Sequence, residues 1–165
     1  MNGTGIFQKL AIRIRQEMED VEYTVKRAAS GMEKARQHQD DMYLDVVALN
    51  LHGFYSVIEK VFEKIASRIE CSIPSGANWH KELLEQMAKE LPGVRPAVIS
   101  KKTREKLDEY RGFRHIVRNV YTYKFDPKRV ERLAFDSPML LEQLQNELLA
   151  FATFLENIPP EYKKG

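Results

Sequence analysis

The sequence predicts an all-α protein, an antiparallel bundle of four long helices plus one or two short ones. Three observations carry this. Apolar residues recur at spacings of three and four over long segments, which is the period of one buried helix face. Capping and breaking signals (Asp-Pro, Ser-Pro, Pro-Gly and Pro-Pro) fall between those segments. No segment shows the sustained alternation of a half-buried strand. At 165 residues the chain is most simply one domain, 1–165, large enough for a real core.

The first helix is expected from about Ile6 to Gln37. Leu10, Ile14, Met18, Val21, Val25, Ala28, Met32 and Ala35 form its stripe, and Gly31 weakens it near its end. Asp40 and Asp41 are N-cap candidates for a second helix, about Asp41 to Ile69. Its expected core is Leu44, Val47, Ala48, Leu51, Tyr55, Ile58, Phe62, Ile65 and Ile69. Gly53 inside it costs about 1 kcal/mol against alanine, which a close helix crossing would justify. His52 and Glu59 are its polar residues placed to meet a basic face elsewhere, with His52 more simply structural.

Residues 73–77, with Pro74, Ser75 and Gly76, read as a loop. Asn78 then caps a shorter helix, Trp79 to Leu91, whose apolar side is Leu83, Leu84, Met87 and Leu91. His80 in its first turn is expected to be exposed. Pro92-Gly93 stops that helix, and Val94, Val98 and Ile99 should pack the linker onto the body. Ser100 can cap the next helix, roughly Lys101 to Thr122. Asp126-Pro127 is a restart signal for a short helix to about Ala134. Ser137-Pro138 repeats the signal and should open a separate last helix, Met139 to Glu156, before Pro159-Pro160.

The stretch from Arg111 to Tyr123 stands out chemically. At about 100° per residue, Tyr110, Phe113, Ile116, Val117 and Val120 face the core. Arg111, Arg114, His115, Arg118 and Thr122 fall on the other side, with Asn119 and Tyr121 at its margins. Arg114 and Arg118 are one turn apart, and like charges so placed cost an isolated helix roughly 0.2–0.5 kcal/mol. Something anionic should offset this, either carboxylates of the fold, with Asp45, Glu59 and Asp108 in view, or phosphates from outside. A basic face alone is ordinary solvated surface. The mixture points further: arginine fits phosphate with a rigid fork, and histidine exchanges protons.

Composition narrows the choices. The net charge is only +2, so an anion site must be local. Cys71 is the only cysteine, which excludes an internal disulfide and a thiolate metal cluster. The four histidines, His38, His52, His80 and His115, are scattered without metal-ligand spacing. There is no glycine-rich phosphate loop, no His-Glu-x-x-His and no serine elbow. An enzyme built on this chain would therefore be expected to use no metal and no cofactor. No apolar run approaches the roughly 18 residues of a membrane span, and no secretion signal is evident, so the expected location is cytoplasmic.

Phe113-Arg-His-Ile-Val-Arg-Asn-Val-Tyr121 resembles the HEPN superfamily, and more closely the HepT-like ribonuclease toxins that pair with minimal nucleotidyltransferase (MNT) antitoxins. Further blocks fit in the same order: Leu51-His-Gly-Phe-Tyr-Ser-Val-Ile-Glu-Lys-Val-Phe62, Ser75-Gly-Ala-Asn-Trp-His80, Leu91-Pro-Gly-Val-Arg-Pro96 and Phe125-Asp-Pro-Lys-Arg129. The likeness covers roughly 40–135. It implies a HEPN-type bundle that forms a homodimer, with one RNA-cleaving cleft shared across the interface. The implied reaction is metal-independent, uses the RNA 2′-hydroxyl as nucleophile and leaves a cyclic phosphate. The family motif is an arginine followed after four to six residues by histidine, often with tyrosine two positions on. It implies Arg114 as the motif arginine, and the histidine position then falls on Asn119, with Tyr121 in place. Asparagine is no ordinary acid or base near neutral pH. Either His115 supplies the proton chemistry, giving a catalytic set of Arg114, His115 and Asn119 with Arg111 and Arg118 on RNA phosphates, or the chain is an inactive bundle that binds RNA, a nucleotide or the nucleotidyltransferase. The resemblance also implies silencing by AMP transfer (AMPylation) to Tyr121, or to Tyr123 as second choice. The implied partners are a second copy, an MNT-type nucleotidyltransferase antitoxin and RNA, with tRNA among the targets.

Overall fold

Leu10, Ala11, Ile14, Met18, Val21, Val25 and Ala28 repeat at the spacing of one helix face, and all are buried. They form the inner side of α1, Gly3–His38. The structure is a computed structural model that describes residues 3–119, 126–159 and 162. A tight turn follows, in which the Asp40 carboxylate accepts from the Met42 amide at 2.9 Å. Asp41, at the N-cap itself, makes no side-chain cap. Then come α2 (Met42–Ile65), a π turn (Ala66–Glu70), α3 (Trp79–Met87), α4 (Lys101–Asn119) and α5 (Pro127–Glu156). Among the described residues there is no strand, only the single bridge between Leu91 and Arg95.

The helices run antiparallel, as cross-contacts show. Along α1 and α2, Gly31 faces Val47, Thr24 faces Gly53, and Glu17 meets Lys64. Between α4 and α5, Tyr110 reaches Leu133 and Lys106 reaches Gln143. Ser100, at the head of α4, takes Glu147 through its amide. The four long helices of the sequence prediction and one short one are present. Helix α2 is the centre, touched by α1, α3, α4 and α5, and it is accordingly buried nearly all round. Phe54 and Val61, outside the expected stripe, are buried with it.

Three expectations are corrected. The helix break at Ser137-Pro138 does not occur, because α5 runs straight through it. Proline removes the N–H that would reach the carbonyl of Ala134. The buried Ser137 hydroxyl donates to that carbonyl instead, at 2.8 Å. One residue earlier, Tyr110 donates to the Leu133 carbonyl at 2.7 Å. With both acceptors satisfied, the proline turn stays helical. The second correction concerns α2, whose α-helical part ends at Ile65 and widens into the π turn, closed by Cys71 in the left-handed conformation. In the third, α3 stops at Met87, four residues short of Leu91, and its expected Asn78 side-chain cap is not made.

The linker after α3 is held by charge more than by valine. Val98 and Ile99 are buried, but Val94 is exposed. Arg95 is fully buried. It pairs with Glu70 and donates to the carbonyls of Lys89, Pro96 and Gln86. Every guanidinium nitrogen is engaged, which is what a charge needs to be tolerated out of water. This bond ties the chain following α3 to the end of α2, and so fixes where α3 sits.

Candidate functional site

The basic face of α4 forms as its periodicity dictates. Tyr110 and Phe113 are buried, whereas His115 and Arg118 are exposed. Arg111, Arg114, His115 and Arg118 line one wall of a cleft of about 370 Å³, with Gly76, Ala77, Trp79 and His80 opposite. That size lies within the ordinary range for ligand sites. Leu83, Leu84 and Met87 dock α3 onto the core, and this turns Trp79 and His80 toward α4. The two rings stack with centroids 3.7 Å apart.

Glu59 joins the walls from below. Its side chain is only 4% exposed. One carboxylate oxygen accepts from Arg114 Nη1 at 3.1 Å, and the other lies 2.8 Å from His80 Nδ1. Arg114 Nε donates to Ser56 Oγ at 2.9 Å. The fork of Arg114 is therefore set in direction by two groups of α2. Arg111 donates to Asp108 at 2.7 Å on its own helix, while Asp45 makes no pair with the arginines among the described residues. Arg118 makes no ion pair among the described residues. So fold carboxylates offset two of the three arginines, and positive charge remains at the Arg118 end.

His52 registers that charge. Burial first, then the guanidinium groups of Arg114 and Arg118, hold its pKa below the ordinary imidazole value. The neutral ring is thus favoured beside the arginines. Glu63, one turn beyond Glu59, is shifted the other way, upward, by burial and then by the Glu59 carboxylate.

The structure brings Arg111, Arg114, His115 and Arg118 together. Asn119 is the last described residue of α4, and its side chain lies outside the described residues, as do Val120, Tyr121, Thr122 and Tyr123. His80, expected to be exposed, is instead half-buried in the cleft wall, with Nδ1 2.8 Å from a Glu59 carboxylate oxygen. A sequence signal for this existed: His80 stands three and four residues before Leu83 and Leu84, on their buried face. Among the described residues no three His, Cys, Asp or Glu side chains gather as a metal site would require, and no helix is long and apolar enough to cross a membrane. A larger groove of about 550 Å³ lies elsewhere, between α1 and α5, lined by Met32, Phe135 and Pro138 with charges of both signs. It holds none of the arginine face.

The arrangement can clamp an anion between Arg111, Arg114 and Arg118, with imidazoles at hand and an aromatic face beside them. The family model for HepT-like proteins matches residues 46–155, which takes in most of α2, the cleft and nearly all of α5. No curated protein and no solved structure matches the chain.

Proposed function

The chain belongs to the HepT-like protein family, and on that footing we propose that it is a metal-independent RNA endonuclease, the toxin of a toxin–antitoxin pair. The observation that carries this is the cleft in which Arg111, Arg114, His115 and Arg118 face Trp79 and His80. The arginines hold the non-bridging oxygens of one phosphodiester, where negative charge grows in the transition state. The 2′-oxygen of the adjoining ribose attacks phosphorus and the bond to the 5′-oxygen breaks. The products are a cyclic phosphate and a 5′-hydroxyl. Two copies of the chain pair through the α4 side, so that each cleft borders the other and a polynucleotide runs across both.

The second half of the pair is a minimal nucleotidyltransferase. It silences the toxin by moving AMP to Tyr121 or Tyr123, two and four residues after Asn119 in the sequence. An added phosphate there brings negative charge to the Arg118 end and competes with RNA for the same cations.

The test is cleavage of tRNA and other RNAs by purified protein with chelator present. Arg114→Ala is expected to lower the rate by about 10²-fold or more. Arg114→Lys, which keeps a cation against Glu59 but loses the fork, should fall nearly as far. A wild type no faster than Arg114→Ala overturns the catalytic claim. One observation favours a second reading, a bundle that binds RNA, a nucleotide or the nucleotidyltransferase without cutting. The buried Glu59 already neutralises Arg114, and asparagine stands at position 119. RNA bound at this cleft but left intact would select that reading.

A further inference from the structure

Cleavage through a 2′-hydroxyl needs a group to take its proton, and Asn119 has no such chemistry. We propose that His80 is that general base, oriented by Glu59. This rests on the nuclease reading above and deepens it.

The four histidines are not equivalent. His38 stacks on Tyr43 at the α1–α2 turn, away from the arginines. His52 sits behind Arg114 and Arg118 and does not line the cleft. His115 and His80 both line it. The His80 imidazole is anchored from behind by a buried carboxylate. Its Nδ1 lies 2.8 Å from a buried carboxylate oxygen of Glu59, so Nδ1 carries the hydrogen and Nε2 is left as an acceptor. A carboxylate behind Nδ1 also stabilises the imidazolium that forms when Nε2 takes a proton. The Trp79 ring, stacked at 3.7 Å, fixes the plane of the imidazole. The side chain keeps 29% of its surface open, enough for contact with a substrate.

Glu59 does a second thing. Its other oxygen holds Arg114. One rigid carboxylate therefore sets the base and the phosphate-binding fork in a fixed relation across the cleft. Arg114 and His80 border the same cleft.

The step balances without a co-reactant. His80 Nε2 accepts the 2′-hydroxyl proton as the 2′-oxygen bonds to phosphorus. The bond from phosphorus to the 5′-oxygen breaks, and that oxygen takes a proton from solvent. His80 then returns its proton to solvent. The charges that face the imidazole are Glu59 and Glu63 from α2, and Arg111, Arg114, His115 and Arg118 from α4.

The experiment compares wild type, His80→Gln and His80→Ala in RNA cleavage over pH values from about 5 to 9, with RNA affinity and thermal unfolding measured alongside. Glutamine keeps a donor toward Glu59 and removes the basic nitrogen. His80→Gln is expected to cleave about 10²-fold more slowly or worse, with unchanged affinity and loss of the acidic limb of the wild-type profile. A folded His80→Gln that cleaves at the wild-type rate with the wild-type profile assigns His80 a structural role and overturns the proposal, while leaving the nuclease reading intact. A wild type that cuts no RNA overturns both. Should both variants fail to fold, nitrogen NMR of the wild-type His80 ring decides. An RNA oligonucleotide whose scissile 5′-oxygen is replaced by methylene keeps the 2′-hydroxyl and cannot be cut; it is expected to shift the Nε2 resonance with Nδ1 still protonated, and an unmoved Nε2 overturns the proposal.

Discussion

Glu59 joins the two halves of the cleft, one oxygen on Arg114 and the other beside His80. A carboxylate 4% exposed would be costly alone, and here it meets Arg114 and His80 at once. Removing one partner of such a buried pair costs about 3–5 kcal/mol in general, so the clefts of variants must be compared with their stability in view. His52 gives a separate test of the charge at this site. Its folded pKa is lowered, by burial and then by Arg114 and Arg118. Above its ordinary value of 6.5 both folded and unfolded chains hold the ring neutral, and no penalty arises. As pH falls below that value, the unfolded chain takes a proton that the folded chain resists, and stability is lost. Urea unfolding of His52→Gln should show a weaker decline below that pH than wild type. An identical decline in both would mean that neither burial nor the arginines hold this ring neutral. The basic face was legible beforehand because helical periodicity alone projects Arg111, Arg114, His115 and Arg118 to one side. The pairing of Glu59 with His80 was not, since it depends on where a nine-residue helix docks. Arg95 was hidden for the same reason: nothing local marks an arginine in a Pro-Gly-Val-Arg-Pro turn as fully buried.

At the scale of elements, two glycines separate close packing from mere tolerance. Gly53 was expected to mark a close crossing. A methyl there would meet Thr24 Cγ2 at 3.5 Å, ordinary contact. The close approach is at Gly31, where a methyl would stand 2.8 Å from Val47 Cγ2. Val47 is fully buried and β-branched, so it cannot swing aside without strain. Gly53→Ala should gain up to about 1 kcal/mol of helix propensity. Gly31→Ala should lose about 1 kcal/mol net, as overpacking of about 1–3 kcal/mol exceeds the same gain. For a chain of this size that is a Tm change of roughly 2–4 °C in opposite directions. Equal shifts in the same direction would contradict the assigned crossing. The continuity of α5 was illegible for a related reason. Ser137-Pro138 is a sound stop signal locally, and what overrides it is the Ser137 hydroxyl on the Ala134 carbonyl and the Tyr110 hydroxyl on the Leu133 carbonyl. The second of these comes from another helix, so no window along α5 contains it.

The whole molecule is a bundle organised to present one cleft. Helix α2 supplies Ser56 and Glu59 beneath it, α3 one wall and α4 the other. The buried bond between Arg95 and Glu70 holds α3 at its station. The all-α class, the four long helices and the family could be read from apolar period and ordered motifs, because both are properties of local sequence. The cleft itself could not, because it exists only once three helices are docked. The central claim is that this cleft takes an RNA phosphodiester and breaks it through the 2′-hydroxyl. The most direct measurement is mass analysis of the ends produced when RNA is incubated with the protein and chelator. The account predicts 2′,3′-cyclic phosphate and 5′-hydroxyl ends that appear with wild type and vanish with Arg114→Ala; intact RNA, or 5′-phosphate and 3′-hydroxyl ends, would contradict it.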